Sequence, residues 1–153
     1  MPVPVIAAAK RVAERSGWSL SNLELQKILY LAQMFYMGEH DGEPLVPGHF
    51  EAWDYGPVHP TLYHEAKIFG SSPVKNIFHS VPELPDGPEA KHLDEAVKQL
   101  ANVGSGRLVA ATHRPNGAWD KNYIPGARNI IIPNEDILAE YRALEDGGRP
   151  QQR

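Results

Sequence analysis

The 153 residues include no cysteine. That absence excludes disulfide frameworks, thiolate zinc sites, iron–sulfur clusters and a cysteine nucleophile together. No apolar run approaches the ~20 residues that a membrane-crossing helix needs. Positive charge is also scarce: 15 Lys and Arg stand against 19 Asp and Glu, a formal net charge of -4. A nucleic-acid reader usually shows clustered positive charge, and none is evident. A phosphate-cradling glycine loop is missing too. Gly104-Ser105-Gly106 lacks both the following Lys-Ser/Thr and a preceding strand, so it reads as a helix stop followed by a helix cap at Ser105. The apolar start, Met1 to Ala9, is short and runs into Lys10 and Arg11, where a signal peptide would place its cleavage site; it reads as a first helix. These absences predict a soluble cytoplasmic protein with no membrane partner.

What is present is an ordinary globular balance, 42% hydrophobic and 22% charged, at a length that suits one domain over 1–146 with a flexible tail over 147–153. The strongest local signal opens at Ser21. Glu24 three residues on completes a capping box, and Leu20 and Leu25 can close a hydrophobic staple. Leu25, Ile28, Leu29, Ala32, Phe35 and Tyr36 then share one helical face, which leaves Asn22, Glu24, Lys27 and Gln33 for the outer one; Gly38 ends the helix. Other helices are expected over Val3 to Arg15, from Pro60 to Gly70, from Pro88 to Gly104, from Ser105 to His113, and after Asn134. A short strand over Phe50 to Tyr55, broken by Gly56-Pro57, is expected to pair with Asn129 to Ile132; Val74 to Val81 is a weaker strand reading. Arg114 to Arg128 reads as a long loop held by Trp119 and Tyr123. The fold class is therefore α+β and predominantly helical: about six helices with a small antiparallel sheet of two or three short strands.

Catalytic and metal chemistry finds little support. His59 and His64 are five residues apart, which turns them about 140° from each other on an ideal helix. A Ser105, His113, Asp120 triad can be written down, but it lacks a nucleophile elbow. Glu43 and Glu51 lie in a loop and a strand with nothing to bring them together. The expectation is a non-enzyme without metal or cofactor. The first two helices have a helix-turn-helix outline, with Lys10, Arg11, Arg15 and Lys27 as its cations, which leaves a DNA-binding autoregulator as the alternative; the second helix offers no arginine fork for guanine. Aromatic residues make up only 8% of the chain, yet two of its three tryptophans, Trp53 and Trp119, fall in the segments with the richest patterning. Trp53-Asp54-Tyr55-Gly56-Pro57-Val58, followed by Tyr63, combines large aromatic area with a rigid corner, the materials of an interface hot spot.

Three segments resemble a known family. Leu25-Gln26-Lys27-Ile28-Leu29-Tyr30-Leu31-Ala32-Gln33 resembles the LQKLLYYAQ helix of the Panacea domain, the SocA-like antitoxin family. Glu51-Ala52-Trp53-Asp54-Tyr55-Gly56-Pro57-Val58-His59-Pro60, with Tyr63, matches that family's E-A-W-x-Y-G-P-V-x-P-x-x-Y signature. Thr112-His113 and Ala118-Trp119 resemble its T-H-x-x-x-P-W segment, with Ala118 where proline is frequent, and Asp94 stands at its L-D position. The resemblance runs from about Leu20 to Tyr123 in one order.

The resemblance implies an antitoxin that binds and neutralises a cognate, SocB-like toxin. In the SocA branch it implies a proteolysis adaptor that hands the toxin, whose target is the replication sliding clamp, to the ClpXP protease. Such tethering raises local concentration without any catalytic group. The residues expected to touch the toxin are Trp53, Asp54, Tyr55, Tyr63, His64, Lys67, His113 and Trp119. Gln26, Lys27, Tyr30, Gly56, Pro57 and Pro60 are expected to shape the motif that presents them, and the Pro150 to Arg153 tail is the candidate protease contact.

Overall fold

The computed structural model describes residues 2–75, 78, 80–127 and 129–147. Among these residues, the elements are seven helices and a two-stranded antiparallel sheet: α1 (Val5–Arg15), α2 (Asn22–Glu39), β1 (Glu51–Trp53), β2 (Gly56–Val58), α3 (Pro60–Ala66), α4 (Pro88–Leu100), α5 (Ser105–Thr112), α6 (Ala118–Asn122) and α7 (Asn134–Gly147). A 3-10 turn, Lys67–Phe69, extends α3 up to Gly70. Among the described residues, no helix is long and apolar enough to cross a membrane.

α2 is the hub. It starts as its sequence dictates: the Ser21 hydroxyl accepts from the Glu24 amide at 3.2 Å while the Glu24 carboxylate accepts from the Ser21 amide at 3.0 Å, a cap worth about 1 kcal/mol. α1, α3, α4, α5, α7 and β2 then pack around it. A helix enclosed in this way cannot keep an outer polar face. Asn22, Lys27 and Gln33, expected to face solvent, are buried, and Phe35, expected inside, is partly exposed. α2 also continues past Gly38 to Glu39; glycine is needed there for packing, since the Tyr141 ring of α7 lies against it where a larger residue would collide.

The buried polar groups of α2 explain themselves by what they hold, since a buried polar group needs a partner. Gln26 grips both backbone groups of His59, accepting from its amide at 2.8 Å and donating to its carbonyl at 3.3 Å. Gln33 accepts from the amides of Leu45 and Val46 at 2.7 and 3.0 Å. The Lys27 ammonium donates to the Pro57 carbonyl at 3.1 Å. Three side chains of one helix thus fix the loop before β1 and the strand after it.

The strand expected over Phe50 to Tyr55 is a hairpin instead. Glu51 pairs with Val58, Ala52 with Pro57 and Trp53 with Gly56. Gly56-Pro57 does not end the sheet; it begins β2, since Gly56 adopts φ +115° and lets the chain reverse through Asp54 and Tyr55 with neither at positive φ. The other edge of β1 meets the segment around Ile131: Ala52 donates to Ile130, Ile132 donates to Phe50, and Glu51 bridges Ile131. The expected pairing partner is therefore there, as an isolated bridge and not a full strand. No strand appears among the described residues of Val74 to Val81; the Val74 amide donates to Leu20.

Two helix ends and one additional helix also differ from expectation. Gly104, at φ +93°, occupies the cap position before α5, so Ser105 is the first helical residue and its hydroxyl donates to Glu24 at 3.3 Å. The 114–128 loop contains α6, a seventh helix, because Glu140 accepts from the Ala118 amide at 2.8 Å and secures its first turn. Gly147, expected in the tail, closes α7; the remaining tail expectation, with the Pro150 to Arg153 contact, lies outside the described residues.

Candidate functional site

The hairpin corner stands over a groove of about 330 Å³. Trp53, Asp54 and Tyr55 form one side, Tyr63 of α3 another, and the first two turns of α2, through Asn22, Gln26 and Lys27, a third. The corner is held by a stack of anchored groups. Trp119 is buried and its indole N–H donates to the Trp53 carbonyl at 2.8 Å. Tyr123 stacks on Trp119, with ring centroids 4.4 Å apart, and its hydroxyl donates to Asp54 at 2.7 Å. The Gly126 amide donates to the same Asp54 oxygen at 3.2 Å. The Trp53 indole donates to Glu51 at 2.8 Å, and its ring meets Tyr63 edge-on at 4.7 Å.

With its neighbours so fixed, Tyr55 projects into solvent, 74% exposed. A large aromatic left in water beside a preformed groove is the arrangement that interface hot spots use.

Of the eight expected contact residues, Trp53, Asp54, Tyr55 and Tyr63 come together at the groove. His64 and Lys67 are exposed on α3 and its 3-10 extension, away from the groove lining. Trp119 is an anchor beneath the corner, not a surface residue. His113 lies behind Gly56: its Nδ1–H donates to the Val109 carbonyl at 2.7 Å, and its ring sits 3.8 Å from that of Trp119. The groove also uses Leu23, Gly70, Ser71, Gly126 and Ala127, which the sequence reading passed over. These are small or unremarkable residues carried there by chain reversal after α3 and after α6, and no local signal marks them.

Two motif groups carry unusual electrostatics. Lys27 is 1% exposed and makes no ion pair among the described residues, and burial lowers its pKa to about 7. About one turn further along α2, Tyr30 is buried beside Glu140; burial raises the pKa of both groups, and Arg114 approaches the Glu140 carboxylate at 3.8 Å. Gly117 is required here, since a Cβ there would lie 2.8 Å from the Glu140 carboxylate.

The other chemistries considered do not assemble. The Ser105 hydroxyl meets Glu24, His113 meets Val109, and Asp120 accepts from the Asn116 amide at 2.9 Å. His59 caps α3, and its Nε2–H donates to Pro47 at 2.9 Å, whereas His64 is exposed. The cations of the helix-turn-helix reading are committed. Lys10 donates to the Val81 carbonyl at 2.6 Å, Arg11 forks Asp94 with both contacts at 2.8 Å, Arg15 joins that carboxylate at 3.3 Å, and Lys27 is enclosed.

The family model described as "Antitoxin SocA-like, Panacea domain" matches residues 25–120, more than half of the chain. The chain is also 32% identical over 111 residues to Antitoxin SocA of Caulobacter vibrioides (strain NA1000 / CB15N), an alignment that covers 66% of this chain and 58% of that protein. No solved structure matches. The motifs that build the hairpin corner and its supporting helix fall inside the matched range, and the chain belongs to the SocA-like antitoxin family and carries its Panacea domain.

Proposed function

We propose that this protein is the antitoxin of a toxin–antitoxin pair and that it grips its cognate, SocB-like toxin with the face formed by Trp53, Asp54, Tyr55 and Tyr63. Family membership supports the class of activity. The single observation that carries the location is Tyr55, 74% exposed at the tip of a hairpin whose other members are all tied down. A preorganised aromatic of this kind adds contact area at little entropic cost on binding. Delivery of the captured toxin to the ClpXP protease is the second part of the proposal. It requires only a further contact elsewhere on the surface, because tethering raises the local concentration of the substrate.

Co-expression with the product of the neighbouring gene tests the first part, and adding ClpXP to the purified pair tests the second. The two proteins copurify, and toxin disappears only when antitoxin and protease are both present. Tyr55→Ala lowers toxin affinity by about 2 kcal/mol or more, roughly 30-fold, with an unchanged thermal midpoint. Isothermal titration and a melting curve on the same variant check both halves, and an unchanged affinity would move the interface elsewhere.

A further inference from the structure

We propose that the groove beside the hairpin corner receives a single acidic side chain of the partner polypeptide, and that the Lys27 ammonium is the group that takes its carboxylate. The inference rests on reading this face as the polypeptide-gripping surface, and it names the chemistry that the surface selects.

Lys27 leaves α2 beneath Gly56, where a Cβ would lie 2.8 Å from its Cε, and ends at the Pro57 carbonyl. An ammonium carries three donors, and among the described residues this one has that carbonyl as its only hydrogen-bond partner. Burying a charged group without a counter-charge is unfavourable, and a helix of this sequence could have placed an apolar residue there. The residue nevertheless lines an open groove of about 330 Å³. That volume is at the lower end of ligand sites, suited to one side chain and not to a length of backbone. The groove also runs along the first turns of α2, the positive end of an 18-residue helix.

The groups around Lys27 leave the counter-charge position open. Asp54 already accepts from Tyr123 and Gly126, and Glu24 on its own helix serves Ser21 and Ser105. His59 at the α3 cap is held toward its neutral form by burial. Beyond Gly56, Thr112 of α5 and His113 just after it both turn to the Val109 carbonyl, and Tyr55 and Tyr63 complete the wall. Burial is the one cause that lowers the Lys27 pKa. A carboxylate arriving from a partner supplies what is missing, and with it a proton is taken up, because the charged ammonium becomes the favoured form. Binding of the acidic side chain therefore strengthens as pH falls from 9 toward 7. A phosphate group, which prefers several N–H donors, is a poorer fit to one ammonium in an apolar groove.

The test uses the full chain with 13Cε-labelled lysine and N-acetyl-glutamate α-methylamide as the probe, at constant ionic strength. The glutamine analogue, N-acetylglycine and inorganic phosphate are the comparison arms. The expected result is a saturable shift of the Lys27 resonance with the glutamate probe alone, and a rise of its pKa by about one unit or more, as an opposite charge within 4–6 Å produces. Loss of the resonance in Lys27→Met assigns it; should that variant not fold, its titration near pH 7 in the wild-type chain does so. Equal responses to the glutamate and glutamine probes, or no response, overturn the proposal. So does a larger response to N-acetylglycine, which would place a chain terminus in the groove, or to phosphate. A chain that captures toxin while Lys27 ignores the glutamate probe removes this inference and leaves the proposed function standing. A Lys27 that answers the probe in a chain that captures no toxin does the opposite.

Discussion

Lys27→Met stabilises the fold by about 2–4 kcal/mol at pH 6, and by about pH 10 the gain has turned into a loss of about 1–3 kcal/mol. The reason is linkage. In the folded chain the lysine pKa is lowered from 10.5 to about 7 by burial, so the unfolded chain binds the extra proton anywhere between those values. Stability of the wild type therefore rises with pH from about 7 to 10, and below 7 the full penalty of the buried charge is present. A depression of that size corresponds to on the order of 5 kcal/mol. Methionine fills similar space without a charge and removes this penalty. It also leaves the Pro57 carbonyl without its donor, which returns about 1–3 kcal/mol. Urea unfolding of both proteins from pH 6 to 10 checks the claim. The difference between the two curves isolates Lys27 from every other titrating group. The same variant loses its response to an acidic partner, so a residue that weakens the fold strengthens binding, the usual trade at a functional position.

Gly56→Ala has the opposite and comparably large effect. Gly56 sits at φ +115°, and an added Cβ would meet Lys27 Cε at 2.8 Å, His113 Cε1 at 3.0 Å and Thr112 Oγ1 at 3.2 Å. None of these neighbours can retreat easily: Lys27 is buried, and His113 is pinned between Val109 and Trp119. Backbone strain of about 1–3 kcal/mol and overpacking of about 1–3 kcal/mol place the loss at about 2–6 kcal/mol, enough at its upper end to unfold a marginal domain. Thermal and denaturant unfolding check it, and Gly70→Ala is the comparison. Gly70 also has positive φ, at +56°, but nothing lies within 4 Å of its Cβ position, so the strain acts there without the collision and the loss is smaller.

Much of this was readable from the chain. Ser21 and Glu24 announced the start of α2 because a capping box is local chemistry that tertiary context seldom overrides. Pro60, Pro88 and Gly70 mark helix ends for the same reason. The hairpin reads from sequence as one strand because Gly56-Pro57 looks like punctuation, whereas the pairing of Ala52 with Pro57 leaves the proline no donor to miss. The burial of Lys27 and Gln33 could not be read from periodicity, since that assigns polar residues to the outside, while a helix enclosed on all sides uses them to hold loops distant in sequence. Trp119 reads from the sequence both as an anchor of its loop and as a toxin contact, because an aromatic in a loop carries no sign of which side it faces; the anchor role is the one the fold shows, its indole finding the Trp53 carbonyl 66 residues away. The corner itself was legible because its residues are contiguous. The walls opposite it, at Gly70 and Gly126, were not, because they arrive from other parts of the chain.

Amide hydrogen exchange of the full chain with and without its bound toxin addresses the central claim most directly. Slowed exchange is expected at Asp54 and Tyr55, along the first turns of α2 and at Gly70 and Ser71, the segments that frame the groove. Protection confined to the outer faces of α4 or α7, with Trp53 to Tyr63 exchanging as in the free protein, would contradict it.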